Sequence, residues 1–166
     1  AIAPMEAVHR KPSTLSFDQA AGFAGSYETA YHCVVACGRL KAGETILIHG
    51  ASGSTGLAAV HIAKALGATV IATGRSPDKL AVVKAQGADY TITLERDPDT
   101  GALLPFRDTV KSLTQGRGVD VVYDGVGGEI SEASLRSMVF GGRFLVVGWA
   151  ATPMVAKGDK GPRPNL

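Results

Sequence analysis

The stretch from Thr45 to Gly67 limits this chain more than any other. Residues 45–48 (Thr-Ile-Leu-Ile) form a short apolar run rich in β-branched side chains, the pattern of a strand buried on both faces. Small residues occupy 50–56, and an Ala-rich helical segment then runs to Gly67, a natural C-terminal stop. A strand that enters a helix through a glycine turn presents free backbone N–H groups and the positive end of the helix dipole, which suits a pyrophosphate. The spacing is Ala51-x-Gly53-x-x-Gly56, a GxGxxG fingerprint with alanine in first place, and Gly50-x-x-Gly53-x-x-Gly56 overlays it. Gly53 lets the backbone approach phosphate, and Gly56 lets the helix pack closely on the strand. Such a glycine pattern gains meaning only from its context. Here it has a strand before it, a helix after it and a second strand about 20 residues on.

The remaining chain supplies the rest of a doubly wound fold. The first residues, 1–5, resemble the tail of a strand, and 11–14 a turn. Ser16-Phe17-Asp18-Gln19 has the form of a capping box, which predicts a helix over 16–23; a second helix is expected over 28–37, stopped by Gly38. Beyond the glycine turn, strands are expected over 69–73, 90–94, 118–124 and 143–148. Helices are expected between them over 77–86, 106–115 and 130–139, the first with Ser76 as N-cap and Pro77 at its first position. Residues 95–105 are polar, contain two prolines and read as a loop. Strands alternating with helices of this length predict βαβ units and a parallel α/β sheet, ordered 3-2-1-4-5 under the right-handed crossover rule. That order places a ligand crevice at the C-terminal ends of strands one and four.

Composition narrows the partners. A length of 166 residues is one domain's worth, and a net charge of +2 is too small to argue for nucleic acid or an anionic membrane surface. No apolar run reaches transmembrane length, and the first residues lack the apolar core of a secretory signal. Cys33 and Cys37 stand four apart and could form half a metal site, but no second Cys or His cluster completes it. Two half-buried thiols in a reducing, cytoplasmic compartment are the simpler expectation. His9, His32, His49 and His61 are isolated in sequence and read as structural or solvated. The chain begins at Ala1, and residues 157–166 are a Gly/Pro/Lys stretch with no closing element, so a fold truncated at both ends is expected.

The end of the second strand bears on cofactor choice. NAD sites usually carry a carboxylate there for the adenine ribose, whereas NADP sites replace it with a cation for the 2′-phosphate. Here Thr73 and Gly74 fill the position, with Arg75, Ser76 and Lys79 next, and the nearest acid is Asp78. The pattern predicts NADP(H). The missing acid also counts against a methyltransferase using S-adenosylmethionine.

The run from Gly43 to Gly56 resembles the cofactor-binding domain of medium-chain dehydrogenases/reductases, and is most similar to the zinc-free quinone oxidoreductase and enoyl-reductase branch. Further matches are Leu15-Ser16-Phe17-Asp18-Gln19-Ala20-Ala21, Thr29-Ala30-Tyr31, Gly87-Ala88-Asp89, Val121-Val122-Tyr123-Asp124-Gly125-Val126-Gly127-Gly128 and Gly148. Together they span residues 5–149. The resemblance implies a pyrophosphate on Gly53, Ser54, Thr55 and Gly56, a 2′-phosphate on Arg75, Ser76 and Lys79, and cofactor contacts from Ser52 and Gly74. Gly125, Val126, Gly148, Trp149 and Ala150 would lie along the adenosine and nicotinamide parts, and Thr29 toward the nicotinamide amide. The chain departs from the family at Thr93-Leu94, where many members have Asn-Tyr.

By the same resemblance, 1–10 would be a remnant of a preceding catalytic domain, 11–150 the dinucleotide-binding domain, and 151–166 a tail leading onward. The catalytic residues would lie outside this chain, and no metal site is implied. The whole protein would be a homodimer that transfers hydride to a small molecule such as a quinone, an enone or an enoyl thioester. A redox sensor or scaffold that binds a dinucleotide without turnover is the competing expectation.

Overall fold

The structure, a computed structural model, describes residues 2–150; the tail expected over 151–166 lies outside the described residues. Five strands form one sheet: β1 Thr45–Ile48, β2 Thr69–Gly74, β3 Tyr90–Thr93, β4 Val119–Asp124 and β5 Met138–Val146. Their order is β3-β2-β1-β4-β5, and every pairing is parallel. The helices are α1 Phe17–Tyr31, α2 Ser54–Ala65, α3 Pro77–Ala85, α4 Arg107–Leu113 and α5 Glu129–Leu135. This is the doubly wound Rossmann arrangement expected from the sequence.

Alternation along the central strand explains the two layers. Ile46 and Ile48 of β1 point to one face and pack with Ala30, Val60, Ala63 and Val83 from α1, α2 and α3. Leu47 points to the other face and joins Phe106, Val110 and Ile130 beside and within α4 and α5. All of these are buried, so β1 has no solvent-facing side, as its unbroken apolar run requires. Polar ties lock the opposite edge of the sheet. Arg143 on β5 grips Glu44 just before β1 through two hydrogen bonds of 2.9 and 2.5 Å. The guanidinium beside Glu44 holds that carboxyl below its usual range. Asp120 accepts a hydrogen bond from Thr45 N–H at 2.9 Å.

Three local expectations are corrected. Residues 16–37 do not form two helices: α1 is continuous to Tyr31 and passes into a π-helical turn, His32–Cys37. The capping box at Ser16 and Gln19 is present. The helix runs through Gly22 and Gly25, whose cost of about 1 kcal/mol each is offset by packing. Phe23 stacks on Tyr27 at 4.3 Å, and Tyr27 Oη lies 2.6 Å from His61 Nδ1 on α2. Arg39, not Gly38, takes the left-handed conformation that ends the segment (φ 45°). Second, residues 2–4 are not strand; a single 3-10 turn, Met5–Ala7, follows Pro4, which has no N–H to donate to a ladder. Third, α5 stops at Leu135 and β5 begins at Met138, well before the expected residue 143. Gly141 and Gly142 are a bulge within the strand, not a turn before it. Gly141 has φ 76°, and a Cβ on Gly142 would lie 3.1 Å from Asp120 O. Among the described residues no helix is long and apolar enough to cross a membrane.

Candidate functional site

The turn between β1 and α2 is built by backbone. Gly50 has φ 62°, a conformation that favours glycine, and Gly53 N–H closes the turn onto Gly50 O at 2.9 Å. Ala51 N–H donates to Thr73 O at 3.1 Å, which fixes the turn to the end of β2. Gly53 is the N-cap of α2 and has no side chain to satisfy the first-turn donors. The N–H groups of Ser54, Thr55 and Gly56 therefore have no acceptor among the described residues. A Cβ on Gly56 would strike Gly50 O and come within 2.8 Å of Ala51 Cα. The close approach is thus of helix to turn, where the fingerprint suggested helix to strand.

A cleft of about 420 Å³ opens beside this turn, at the C-terminal ends of the strands. Of the residues singled out from sequence, Ser52, Gly53, Gly74, Arg75, Val126 and Ala150 line it. So do Gly50, Leu94 (where many family members have tyrosine) and three residues with no sequence signal, Arg96, Leu103 and Ile130. Leu94, Leu103 and Ile130 are apolar and form one wall. Arg96 and Leu103 come together through an antiparallel bridge that pinches the expected loop shut. Among the described residues no carboxylate lines the cleft, while two arginines do. Neither Arg75 nor Lys79 pairs with a carboxylate among the described residues. Lys79 is exposed on the first turn of α3, and its N–H donates to Ser76 Oγ at 3.4 Å.

Beneath the cleft sits a buried polar scaffold. His49, at the end of β1, is fully buried; its Nδ1 lies 2.7 Å from Thr73 Oγ1 and its Nε2 lies 2.6 Å from Ser134 Oγ. One imidazole thereby joins β1, β2 and α5. Burial lowers its pKa to about 4, against the opposing pull of Asp124, so the ring is neutral at physiological pH. Asp124 accepts from Val126 N–H at 2.8 Å, Gly127 N–H at 3.0 Å and Ser131 Oγ at 2.5 Å. These bonds shape the turn that carries Val126 into the cleft. The one signal of His49 and Asp124 in the sequence is residue type: a His and an Asp at the ends of largely apolar strands.

The other singled-out residues stand nearby or elsewhere. Gly125 and Gly148 face each other where β4 and β5 end; a Cβ on Gly148 would sit 3.4 Å from Gly125 O. Trp149 is about half exposed. Thr29 lies on an exposed part of α1, where its Oγ1 donates to Gly25 O at 2.8 Å, and it does not line the cleft. Cys33 and Cys37 are free thiols, and burial pushes the Cys33 thiol up. Among the described residues no group of three or more His, Cys, Asp or Glu stands close enough to hold a metal ion.

An open crevice at the topological switch point of a 3-2-1-4-5 parallel sheet, beside an uncapped helix N-terminus, defines a dinucleotide-binding type of Rossmann domain. Residues 54–160 match the family described as zinc-binding dehydrogenase, and the chain belongs to that family, within the medium-chain dehydrogenase/reductase superfamily. Quinone oxidoreductase-like protein 2 homolog of Nematostella vectensis is 37% identical over 151 residues, 90% of this chain and 39% of that protein. Mycobacterial Rv1454c complexed with NADPH superposes with a TM-score of 0.80 at 30% identity, over 99% of this chain and 46% of that one. CurK enoyl reductase superposes with a TM-score of 0.71 at 34% identity, over 81% of this chain and 38% of that one. The chain spans less than half the length of each of these proteins.

Proposed function

We propose that this chain is the NADP(H)-binding domain of a zinc-independent reductase that passes hydride to a quinone or an activated C=C bond. The observation that carries the reading is the cleft: among the described residues it has three unsatisfied N–H groups at the start of α2, two arginines in the lining and no carboxylate. Unpaired cations past the end of β2 suit a ribose 2′-phosphate and leave NADH without its usual acidic partner. The NADPH complex of Rv1454c and the enoyl-reductase relative support the same assignment.

A bound reduced dinucleotide supplies the hydride, which the acceptor takes up together with a proton. The residues of this chain bind and orient. Ser54, Thr55 and Gly56 offer amides to the pyrophosphate, Arg75, Ser76 and Lys79 flank the 2′-phosphate, and Gly74, Val126 and Ala150 border the adenosine. Gly125, Gly148 and Trp149 lie toward the nicotinamide end, and Thr29, which does not line the cleft, is given no part in binding. Among the described residues, the titratable groups lining the cleft are Arg75 and Arg96, and neither is assigned the proton. The domain limits 11–150, a cytoplasmic location, a homodimer and a small-molecule acceptor belong to the same reading.

Two assays test it. In calorimetric titration the chain should bind NADPH more tightly than NADH. The full-length protein should oxidise NADPH in the presence of a quinone, an enone or an enoyl thioester. Binding with no turnover on any acceptor would favour the sensor or scaffold, and tighter binding of NADH would overturn the cofactor assignment.

A further inference from the structure

The residue that the sequence reading did not reach at the ribose end is Arg96. The register of the sheet explains its place. Gly74 on β2 pairs with Thr93 on β3, and Leu94 N–H donates to Gly74 O at 2.8 Å. The two strands therefore leave the sheet side by side, and Arg75 and Arg96, one and three residues past their ends, line the same cleft. Arg96 sits at the neck of the 96–103 loop, which has its own framework. Asp97 accepts from Asp99 N–H at 3.0 Å and Thr100 N–H at 2.8 Å, and Arg96 Nη1 donates to Gly101 O at 2.6 Å.

The counter-ion of Arg96 is Glu129, on the first turn of α5, at 3.5 Å and with both side chains about half exposed. A pair that long and that wet contributes little. Glu129 has a second tie: it accepts from Leu103 N–H at 3.4 Å. Its carboxylate thus holds the loop whether or not Arg96 stays. Among the described residues Arg96 Nε and Nη2 have no hydrogen-bond partner, which leaves one edge of the guanidinium open to a phosphate.

We infer that Arg96 is a second 2′-phosphate-binding guanidinium, held at rest by Glu129 and given over to the phosphate when ligand enters. The inference rests on the NADP(H) reading and adds an exchange: one weak carboxylate contact is replaced by a phosphate, while Glu129 continues to pin Leu103. It makes Glu129 a competitor for the cation, so its removal should strengthen 2′-phosphate binding.

The test is calorimetric titration of the 166-residue chain with adenosine 2′,5′-bisphosphate and with AMP, which differ only in the 2′-phosphate. Arg96→Ala should weaken the bisphosphate by roughly tenfold, the scale of one charge-assisted hydrogen bond, and leave AMP within about twofold. Glu129→Gln, which keeps an acceptor for Leu103 N–H, should tighten the bisphosphate by about two- to threefold and leave AMP unchanged. Equal losses for both ligands in Arg96→Ala would mean that the arginine only supports the loop, and would overturn the inference. So would an Arg96→Ala variant with unchanged affinity while Arg75→Ala loses the preference; the NADP(H) reading would then stand. If the unmodified chain bound neither ligand, or bound both equally, that reading would fail and this inference with it.

Discussion

His49 is the residue whose environment departs furthest from its sequence context. At the end of a continuous apolar run it reads from sequence as a structural or solvated histidine, yet both its nitrogens are engaged by hydroxyls from different elements. Its burial has a consequence for acid stability. The folded state holds the ring neutral down to about pH 4, whereas the unfolded chain protonates near 6.5. Between those values the unfolded state binds the extra proton, so stability is complete above about pH 6.5 and is lost as pH falls toward 4. From pH 7 to pH 5 this one group should account for about 2 kcal/mol. Urea denaturation of the wild-type protein and of His49→Gln at both pH values should show the steeper loss in the wild type. Parallel losses would mean that the imidazole is not buried neutral. The cations at the cleft act by charge. Arg75→Ala combined with Lys79→Ala should weaken NADPH by about tenfold or more and change NADH by less than about twofold. Equal losses measured by fluorescence titration would show that these side chains do not read the 2′-phosphate.

The β1–turn–α2 unit was legible in the sequence because each of its signals acts locally. A β-branched run, glycines at fixed offsets and an Ala-rich helix need no distant partner, and the observed limits of β1 are those expected. Gly56 is the tightest point of the unit. Gly56→Val should destabilise the fold by about 1–3 kcal/mol and weaken NADPH in parallel, since the branched side chain must displace Gly50 or Ala51. A thermal melt together with a titration checks this, and unchanged affinity in a folded variant would move the phosphate away from the turn. Elements that depend on distant contacts were misread. The glycines of α1 are tolerated because Tyr27 and Phe23 pack toward α2, and the glycine pair in β5 is a bulge set by its pairing with β4. Local propensity carries no record of either partner.

At the scale of the whole molecule, parallel βαβ winding brings the ends of β1, β2, β3 and β4 to one rim. The glycine half of the cleft lies on consecutive residues and could be read directly. The apolar wall of Leu94, Leu103 and Ile130, with Arg96, is assembled from segments far apart in sequence and needed the sheet order to be seen. A second apolar groove, lined by Phe23, Tyr27, Tyr31 and Ile62, lies on the outer face of α1 and α2, away from the cleft. The two concavities make different demands on a ligand, and this allows a direct experiment. Amide NMR spectra of the isotope-labelled chain titrated with NADPH should show the largest shifts at Gly53, Ser54, Thr55 and Gly56, followed by Gly74, Arg75 and Arg96. Shifts confined to the groove on α1 and α2, or none at millimolar NADPH, would contradict the assignment of the β1–α2 turn as the dinucleotide site.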